Sequence, residues 1–428
     1  MTAEEPGGTK DSGAKDTGTQ GQGSGTSKDV PQSGPSGGAL DRLRSDIDGI
    51  DQQLVDLLSE RLRIALEIGK AKVRAGHSFF DPVRERRVLD KVRALAGHRY
   101  PPERIESIYR EIISASRTAQ AGEMVLVHGA PGSPTHEAAH LRFGTGPRFD
   151  WTPNDAEVFG RLADGSCDYA VVSLEGRSLE VSVERLDLFL HSSAQVFAEV
   201  AVRPTLSVFA PPGVVPDVVQ GSAEPSGGRS ADLTAGSTVG APASRVPLPD
   251  AQVPRSVPIF GTPANLARAS GFLSTRTEAP VEVAATLGDA IRAAESRDGM
   301  VLGPPVVGVT FGWPEVLSGV QDESVGKRRF FVLATRSAPP SGRDRTLLLL
   351  VLANRSGALH GVTEVLVESG LNLSWMEPKS SHLGSWDHLF LFEIDGHRED
   401  PAVARAVERL AGRTEVMRVL GSYPREFA

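Results

Sequence analysis

The feature that most constrains this chain is a long helical pattern near its start. Between Leu40 and Lys72, apolar residues recur at spacings of three and four, and no proline interrupts them. The pattern predicts one helix about 50 Å long, at a rise of about 1.5 Å per residue. A small monomeric domain cannot cover such a length, so we expect a second copy of the chain to pack against it, in a homodimer or a higher homo-oligomer.

Two further helices follow, and proline marks the start of each. Asp81 comes directly before Pro82, so its carboxylate can cap a helix whose first position tolerates proline. A Pro-Pro pair then opens a third helix, which is expected to end near Ala121. Residues 39–121 are therefore predicted to form an all-helical domain.

The rest of the chain alternates strand-like and helix-like patterns. Residues 122–338 predict an α/β domain of two lobes, and residues 343–428 predict a ferredoxin-like βαββαβ unit. Residues 1–38 are rich in Gly and Ser with almost no large apolar residue, and the stretch from about 211 to 255 is rich in Pro, Gly, Ala and Ser. Both stretches are predicted to be disordered, because they cannot bury enough apolar surface to offset ordering entropy.

Composition excludes several classes of function. The formal net charge is -8 and the basic residues are scattered, so no footprint for nucleic acid or an anionic membrane is present. The single cysteine, Cys167, excludes a disulfide framework and a thiolate metal site. We expect a cytoplasmic protein, because no apolar stretch is long enough to span a membrane and no cationic-then-apolar leader is visible.

Two cations interrupt the apolar seam of the first helix. Arg61 and Lys72 are eleven residues apart, which returns them to the same face within about 20°. An unpaired cation on an apolar seam would cost several kcal/mol, so an anionic partner is expected there. Two side chains that extend to solvent, or an internal salt bridge, are the alternatives.

Polar groups on the other two helices add to this pair. Asp81, Arg84 and Glu85 share one face of the second helix, and Ser116 and Gln120 form an i, i+4 pair on the third. Arg44 points about 100° away from Arg61, so it cannot reach the same pocket of its own chain. In a dimer of paired helices it could reach the pocket of the partner.

The segments LRSDIDGID, LLSERLRIALEIGKAK, DPVRERRVL and IISASRTAQ resemble the AroQ-type chorismate mutase domain. The resemblance implies that Arg61, Arg84 and the partner's Arg44 hold a dicarboxylate, and that Lys72 and Gln120 donate to the ether oxygen of chorismate. It implies that the hydroxyl and one carboxylate are oriented by Asp81, Glu85 and Ser116.

The implied reaction converts chorismate to prephenate by a [3,3] rearrangement within one molecule. It needs no nucleophile, metal or cofactor, because positioning and electrostatic stabilisation are sufficient. The substrate 4-amino-4-deoxychorismate fits equally well, since Glu85 could accept a hydrogen bond from an amine.

The order of the three regions resembles the bifunctional chorismate mutase/prephenate dehydratase family, and the segment GAPGSPTHEAA resembles its glycine-rich opening. A phosphate-binding loop is the alternative for that segment, although no GK[ST] follows it. The resemblance implies a periplasmic-binding-protein-like α/β domain followed by an ACT domain.

Four positions differ from the dehydratase pattern. The segment SLEGR keeps Glu175 but has Gly176 in place of an amide, GTPANL has Gly261 in place of serine, Arg268 stands for a glutamine, and GKRRF has Arg328 in place of threonine. Glycine has no side-chain donor, and arginine remains charged, so neither can protonate a departing hydroxide. We expect the dehydratase activity to be absent or weak.

In the last region, GALH at 357–360 matches the ACT-domain loop that binds an effector amino acid. The resemblance implies that Gly357, Ala358, Leu359 and Glu377 contribute to a phenylalanine site, although Lys379 replaces the usual arginine of the second motif. A purely structural dimerisation unit is the alternative.

Three hypotheses follow for the whole chain: a chorismate mutase with an impaired dehydratase domain, a fully bifunctional enzyme that makes phenylpyruvate, and a noncatalytic amino-acid sensor. The complete set of mutase residues disfavours the sensor, because binding alone does not need donors at the ether oxygen.

Overall fold

The computed structural model of the protein describes residues 37–75, 78–173, 182–211, 256–276, 278–322, 326–380 and 388–426. Almost all of the arm predicted at 1–38 and of the insertion predicted at about 211–255 lies outside these ranges. Two compact units divide the chain between Ser59 and Glu60. Among the described residues, no helix is long and apolar enough to cross a membrane.

The N-terminal region is helical, as the proline and apolar patterns predicted. Its helices are α1 Gly37–Ala75, α2 Pro82–Ala96 and α3 Pro102–Ala121. Asp81 caps α2 by accepting a hydrogen bond from the backbone N–H of Arg84 at 2.9 Å. Helix α3 ends at Gly122, whose positive φ of 61° permits the left-handed turn.

Within the first unit, α1 exposes the apolar residues that the periodic pattern identified. The side chains of Leu43, Ile47, Ile50, Leu54 and Leu57 are between 51% and 67% exposed. These residues recur on one stripe of the helix, so a large apolar surface of the single chain faces solvent.

Strands and helices alternate from Met124 to Ala334. In chain order they are β1 Met124–His128, α4 Pro134–Phe143, β2 Arg148–Thr152, α5 Asp155–Ala163, β3 Tyr169–Ser173, α6 Val183–His191, β4 Gln195–Val202, β5 Ser207–Phe209, β6 Ile259–Gly261, α7 Pro263–Arg268, α8 Ser270–Ser274, β7 Val281–Val283, α9 Leu287–Ser296, β8 Met300–Gly303, α10 Val306–Phe311, β9 Glu315–Ser318 and β10 Arg328–Ala334.

These strands form the two lobes that the sequence predicted. Among the described residues, one sheet has the order β2-β1-β3-β10-β4 and the other has the order β7-β6-β8-β5-β9. Strand β1 runs parallel to β2 and β3, and β6 runs parallel to β7 and β8. The chain returns to the first lobe through β10, which pairs antiparallel with β3 and β4. The carboxyl ends of the parallel strands are the usual position of a ligand site in such sheets.

The C-terminal region has the predicted βαββαβ order. Its elements are β11 Asp344–Leu352, α11 Ala358–Glu368, β12 Leu373–Ser380, β13 His388–Asp395, α12 Pro401–Ala411 and β14 Val416–Pro424. The strands pair antiparallel in the order β12-β13-β11-β14. Apolar side chains of α11 and α12 pack on one face of this sheet.

The regions share cores, which sequence reasoning did not foresee. Phe80, in the segment before α2, is fully buried. Its ring lies 4.8 Å from that of Phe143, 5.2 Å from Tyr169 and 5.7 Å from Phe197, which all belong to the first lobe. On the other side of that lobe, Tyr423 of β14 joins a second cluster of buried residues. The first lobe is therefore packed between the end of the helical region and the C-terminal sheet.

Candidate functional site

Arg61 lies between α1 and α3, on the face that the eleven-residue spacing indicated. Its Nη1 donates to Ser116 Oγ at 2.7 Å and to the carbonyl of Ile112 at 3.5 Å. Burial lowers the pKa of Arg61. In the part of the chain that the structure describes, Arg61 forms no ion pair, so the alternative of an internal salt bridge is wrong for this residue.

Lys72 is held near the carboxylates of α2. Its Nζ donates to the carbonyl of Phe79 at 2.9 Å. Burial lowers the pKa of Lys72, while the nearby charges of Asp81 and Glu85 oppose that effect. Lys72, Asp81 and Glu85 therefore lie close enough for their charges to interact.

Gln120 reaches the same region through a close approach of α3 to α1. A Cβ atom on Gly69 would lie 2.9 Å from Gln120 Cγ, so a larger residue there would force the Gln120 side chain to move. Gly69 precedes Lys72 by three residues, which places the Gln120 side chain about one helical turn from Lys72. Ser116 and Gln120 therefore face α1 on the side that carries both cations.

Two members of the predicted cationic set are exposed. Arg84 is exposed on α2. Arg44 lies in the first unit, where it is 67% exposed and pairs with Asp41 of the same helix at 3.6 Å. An exposed pair of this kind contributes little to stability, so Arg44 is available to another ligand.

Glu85 is already engaged by a residue that the sequence did not single out. Arg117 Nη1 donates to Glu85 Oε1 at 2.5 Å, and Arg117 is only 4% exposed. No sequence signal marked Arg117, because it directly follows Ser116 on a helix rich in charged residues. Its burial depends on residues beyond the helical region.

Apart from the helical cluster, a pocket lies at the carboxyl ends of β1 and β3, in the first lobe. It has a volume of about 400 Å³, and its lining includes His128, Thr135, Ser173, Arg185 and Arg328. Glu175 and Gly176, two of the predicted dehydratase positions, lie outside the described residues. Of the four positions expected to differ from the dehydratase pattern, Arg328 is the one that lines this cleft among the described residues.

Arg328 of this cleft also acts electrostatically on a second arginine, Arg268, which does not line the cleft. The pKa of Arg268 is lowered by burial and by the charge of Arg328. Burial raises the pKa of Glu137, on α4, to about 8, and the charge of Arg268 opposes this rise. Gly261 ends β6 and has no side chain, so it offers no polar group at that position. A Cβ atom there would lie 2.9 Å from Leu266 Cδ2.

A cluster at the edge of the cleft was also missed by sequence reasoning. Arg185 Nε donates to Asp155 Oδ1 at 2.7 Å, and His128 Nε2 lies 3.3 Å from the same oxygen. Burial and the charge of Arg185 lower the pKa of His128. The three residues come from different elements, so their spacing along the chain carries no signal.

Comparison with known proteins relates both regions of the chain to known families. The family model described as chorismate mutase type II matches residues 43–121. A bifunctional chorismate mutase/prephenate dehydratase from Aquifex aeolicus (strain VF5) is 27% identical over 392 residues, which cover 90% of this chain and 98% of the relative. A prephenate dehydratase from Mycobacterium sp. (strain JLS) is 30% identical over 280 residues, covering 64% of this chain and 76% of the relative.

The chain belongs to the chorismate mutase/prephenate dehydratase family.

A solved structure supports the fold of the later regions. Prephenate dehydratase from Arthrobacter aurescens, in complex with L-Phe, aligns with a TM-score of 0.52 and 18% identity. The alignment covers 71% of this chain and 90% of that chain. At this identity the match concerns the fold alone.

In this member of the chorismate mutase/prephenate dehydratase family, the two C-terminal motifs lie on separate elements. Gly357 has a positive φ of 83° and precedes α11, which begins at Ala358, and Leu359 is 37% exposed. Glu377 lies on β12 and pairs with Lys379 at 3.3 Å. The substitution of arginine by lysine in this motif therefore keeps a cation next to the acid.

Proposed function

We propose that this chain is a chorismate mutase that converts chorismate to prephenate at the helical cluster. The observation that carries the proposal is Arg61, a half-buried guanidinium that donates to Ser116 and has no carboxylate partner among the described residues. A buried cation without a counter-charge favours an anionic ligand. Chorismate brings two carboxylates to such a pocket.

The proposed roles follow the chemistry of each group. Arg61 and Arg84 hold the carboxylates, since a guanidinium fork matches a carboxylate in two hydrogen bonds. Lys72 and Gln120 donate to the ether oxygen, where negative charge develops as the bond breaks. Asp81, Glu85 and Ser116 orient the hydroxyl and one carboxylate. 4-Amino-4-deoxychorismate is an alternative substrate of the same geometry.

We propose that Arg44 completes the pocket of a partner chain, in a homodimer or a larger homo-oligomer. The proposal is supported by the exposed apolar stripe of α1 in the first unit and by the exposure of Arg44. Burying that stripe against a second α1 would remove five or more large apolar side chains from water, at about 25 cal/mol per Å².

For the α/β region, assigned to residues 122–338, we propose an impaired prephenate dehydratase. Support comes from the charged Arg328 in the cleft and the absence of a side chain at Gly261. The fully bifunctional enzyme is the second candidate, because the Aquifex relative carries both activities in its name and the alignment spans 90% of this chain.

We further propose that residues 343–428 form an ACT domain that binds phenylalanine. Support comes from the βαββαβ topology, from the glycine turn before α11, and from the L-Phe complex of the Arthrobacter dehydratase. Gly357, Ala358, Leu359 and Glu377 are the residues assigned to this site.

One experiment separates these proposals. The purified chain is incubated with chorismate and, separately, with prephenate, each with and without phenylalanine or tyrosine, and every product is measured. We expect prephenate from chorismate and little phenylpyruvate from prephenate. Rapid phenylpyruvate formation would favour the bifunctional enzyme, whereas no turnover of either substrate would favour a noncatalytic amino-acid sensor.

A further inference from the structure

Arg117 connects the helical cluster to the α/β region through three hydrogen bonds. Its Nη1 donates to Glu85 Oε1 on α2 at 2.5 Å, and its Nε donates to Glu123 Oε2 at 2.5 Å. Its Nη2 donates to the carbonyl of Phe143, at the end of α4, at 2.8 Å. Each of the three guanidinium nitrogens therefore donates to a different part of the chain: α2, the segment before β1 and the end of α4.

The surroundings of Arg117 fix it in one geometry. Its Cζ lies 5.1 Å from the ring centre of Phe80 and 5.3 Å from that of Phe143. Burial acts to lower the pKa of Arg117, but the charges of Glu85 and Glu123 outweigh it and raise the pKa. The buried guanidinium contacts two aromatic rings and three hydrogen-bond acceptors, so any rotation of it would break several of these contacts.

The pair of carboxylates on Arg117 also faces Lys72. The charges of Glu85 and Glu123 act to raise the pKa of Lys72, and the charge of Arg117 acts to lower it. Together with Asp81, the two acids on Arg117 place Lys72 among three carboxylates and one guanidinium. The position of the Glu85 carboxylate relative to Lys72 therefore depends on Arg117.

We propose that Arg117 is a positioning residue for the mutase reaction, and the inference rests on the proposed function. It holds the Glu85 carboxylate where the substrate hydroxyl must be oriented, and it is itself held by Glu123 and by the first lobe. Because a misplacement of about 1 Å can cost about 10²-fold in rate, such support affects turnover without contact to the substrate.

The test compares Arg117→Met and Arg117→Lys in the full chain. We expect Arg117→Met to lower kcat for chorismate about tenfold or more with a smaller change in KM, and Arg117→Lys to recover part of the loss, because lysine keeps the charge without the fork. Arg110→Met is the matched control: it removes an arginine of the same helix that pairs with Glu106, and its kcat should stay within about twofold.

A double-mutant cycle distinguishes positioning from a general effect on folding. If Arg117 acts through Glu85, Arg117→Met should change kcat by less than about twofold in a Glu85→Gln background. An equal loss in both backgrounds, or an Arg117→Met enzyme with wild-type kcat, would overturn the inference. If either of these results is found but Lys72→Ala still abolishes activity, the proposed function stands and only the role of Arg117 is rejected. A wild-type chain without mutase activity would reject both the proposed function and the role of Arg117.

Discussion

The helical cluster and the cleft of the first lobe both contain buried arginines, but the arginines have opposite relations to their surroundings. Around Arg61, the acceptors are a hydroxyl and a backbone carbonyl, so an added carboxylate would supply a counter-charge that this guanidinium does not have among the described residues. Arg328, which lines the cleft, instead lies near a second cation, and its charge acts to lower the pKa of Arg268. Cations therefore indicate catalysis only where the reaction develops negative charge that they can stabilise.

The largest effect is expected in the helical cluster. Arg61→Ala and Lys72→Ala should each lower kcat/KM for chorismate about 10²-fold or more, because each removes a donor that acts on developing charge or a bound carboxylate. Lys70→Ala serves as control, since Lys70 is exposed and pairs with Glu67. Chorismate turnover that survives both substitutions would break the contrast between the two regions.

The cleft offers the converse experiment. Wild-type chain should form phenylpyruvate from prephenate much more slowly than it forms prephenate from chorismate, because a missing general acid lowers the rate of the dehydration itself by about 10² to 10⁴. Arg328→Thr combined with Gly261→Ser should raise this rate, and Arg328→Lys should not. A wild-type dehydratase rate close to the mutase rate would remove the proposed impairment.

Mixing two inactive variants tests whether the helical site is shared between chains. Arg44→Ala and Arg61→Ala proteins should each be weak alone. After unfolding and refolding together, half of the dimers would be mixed and each would hold one intact site, so about a quarter of the wild-type mutase activity should return. No recovery in a mixture shown to contain mixed dimers would place Arg44 outside the partner's pocket.

The smallest effect concerns Glu137 of α4, a buried carboxylate to which no catalytic role is assigned. Burial raises the pKa of Glu137 from an ordinary value of 4.5 to about 8, so the native chain binds a proton that the unfolded chain loses in this window. This contribution to stability is complete below about pH 4.5 and is lost as the pH rises through about 8.

Glu137→Gln keeps the position neutral at every pH. The melting temperature of this variant minus that of wild type should therefore increase by several degrees from pH 6 to pH 9. Thermal unfolding followed by circular dichroism at the two pH values gives the difference, with exposed Glu295→Gln as control. If the melting temperatures of Glu137→Gln and wild type change equally with pH, water or a cation must reach the Glu137 carboxylate.

Periodicity predicted the parts of the site that lie along single helices. Arg61 and Lys72 share a face because eleven residues complete about three turns, and Ser116 and Gln120 do so because four residues complete about one. These relations depend on local geometry alone, so the sequence contains them. The βαββαβ order of the last region was predictable for the same reason.

Contacts between regions were not predictable in this way. The partners of Arg117 come from α2, from the segment before β1 and from the end of α4, and Phe80 is buried by residues up to 117 positions away. Such contacts depend on how finished elements pack, and one sequence contains no period that reveals them. The same limit applies to His128, Asp155 and Arg185.

The burial of Phe80 has a consequence for synthesis on the ribosome. The helices are translated first, but the ring of Phe80 can be covered only when the strand that contains Phe197 has emerged, since both belong to one aromatic cluster. At about 5 to 20 residues per second, this delay lasts several seconds. During this time the Phe80 ring of the nascent helical segment remains exposed to solvent. The packing of the helical region is thereby completed only when the first lobe of the α/β region has been translated.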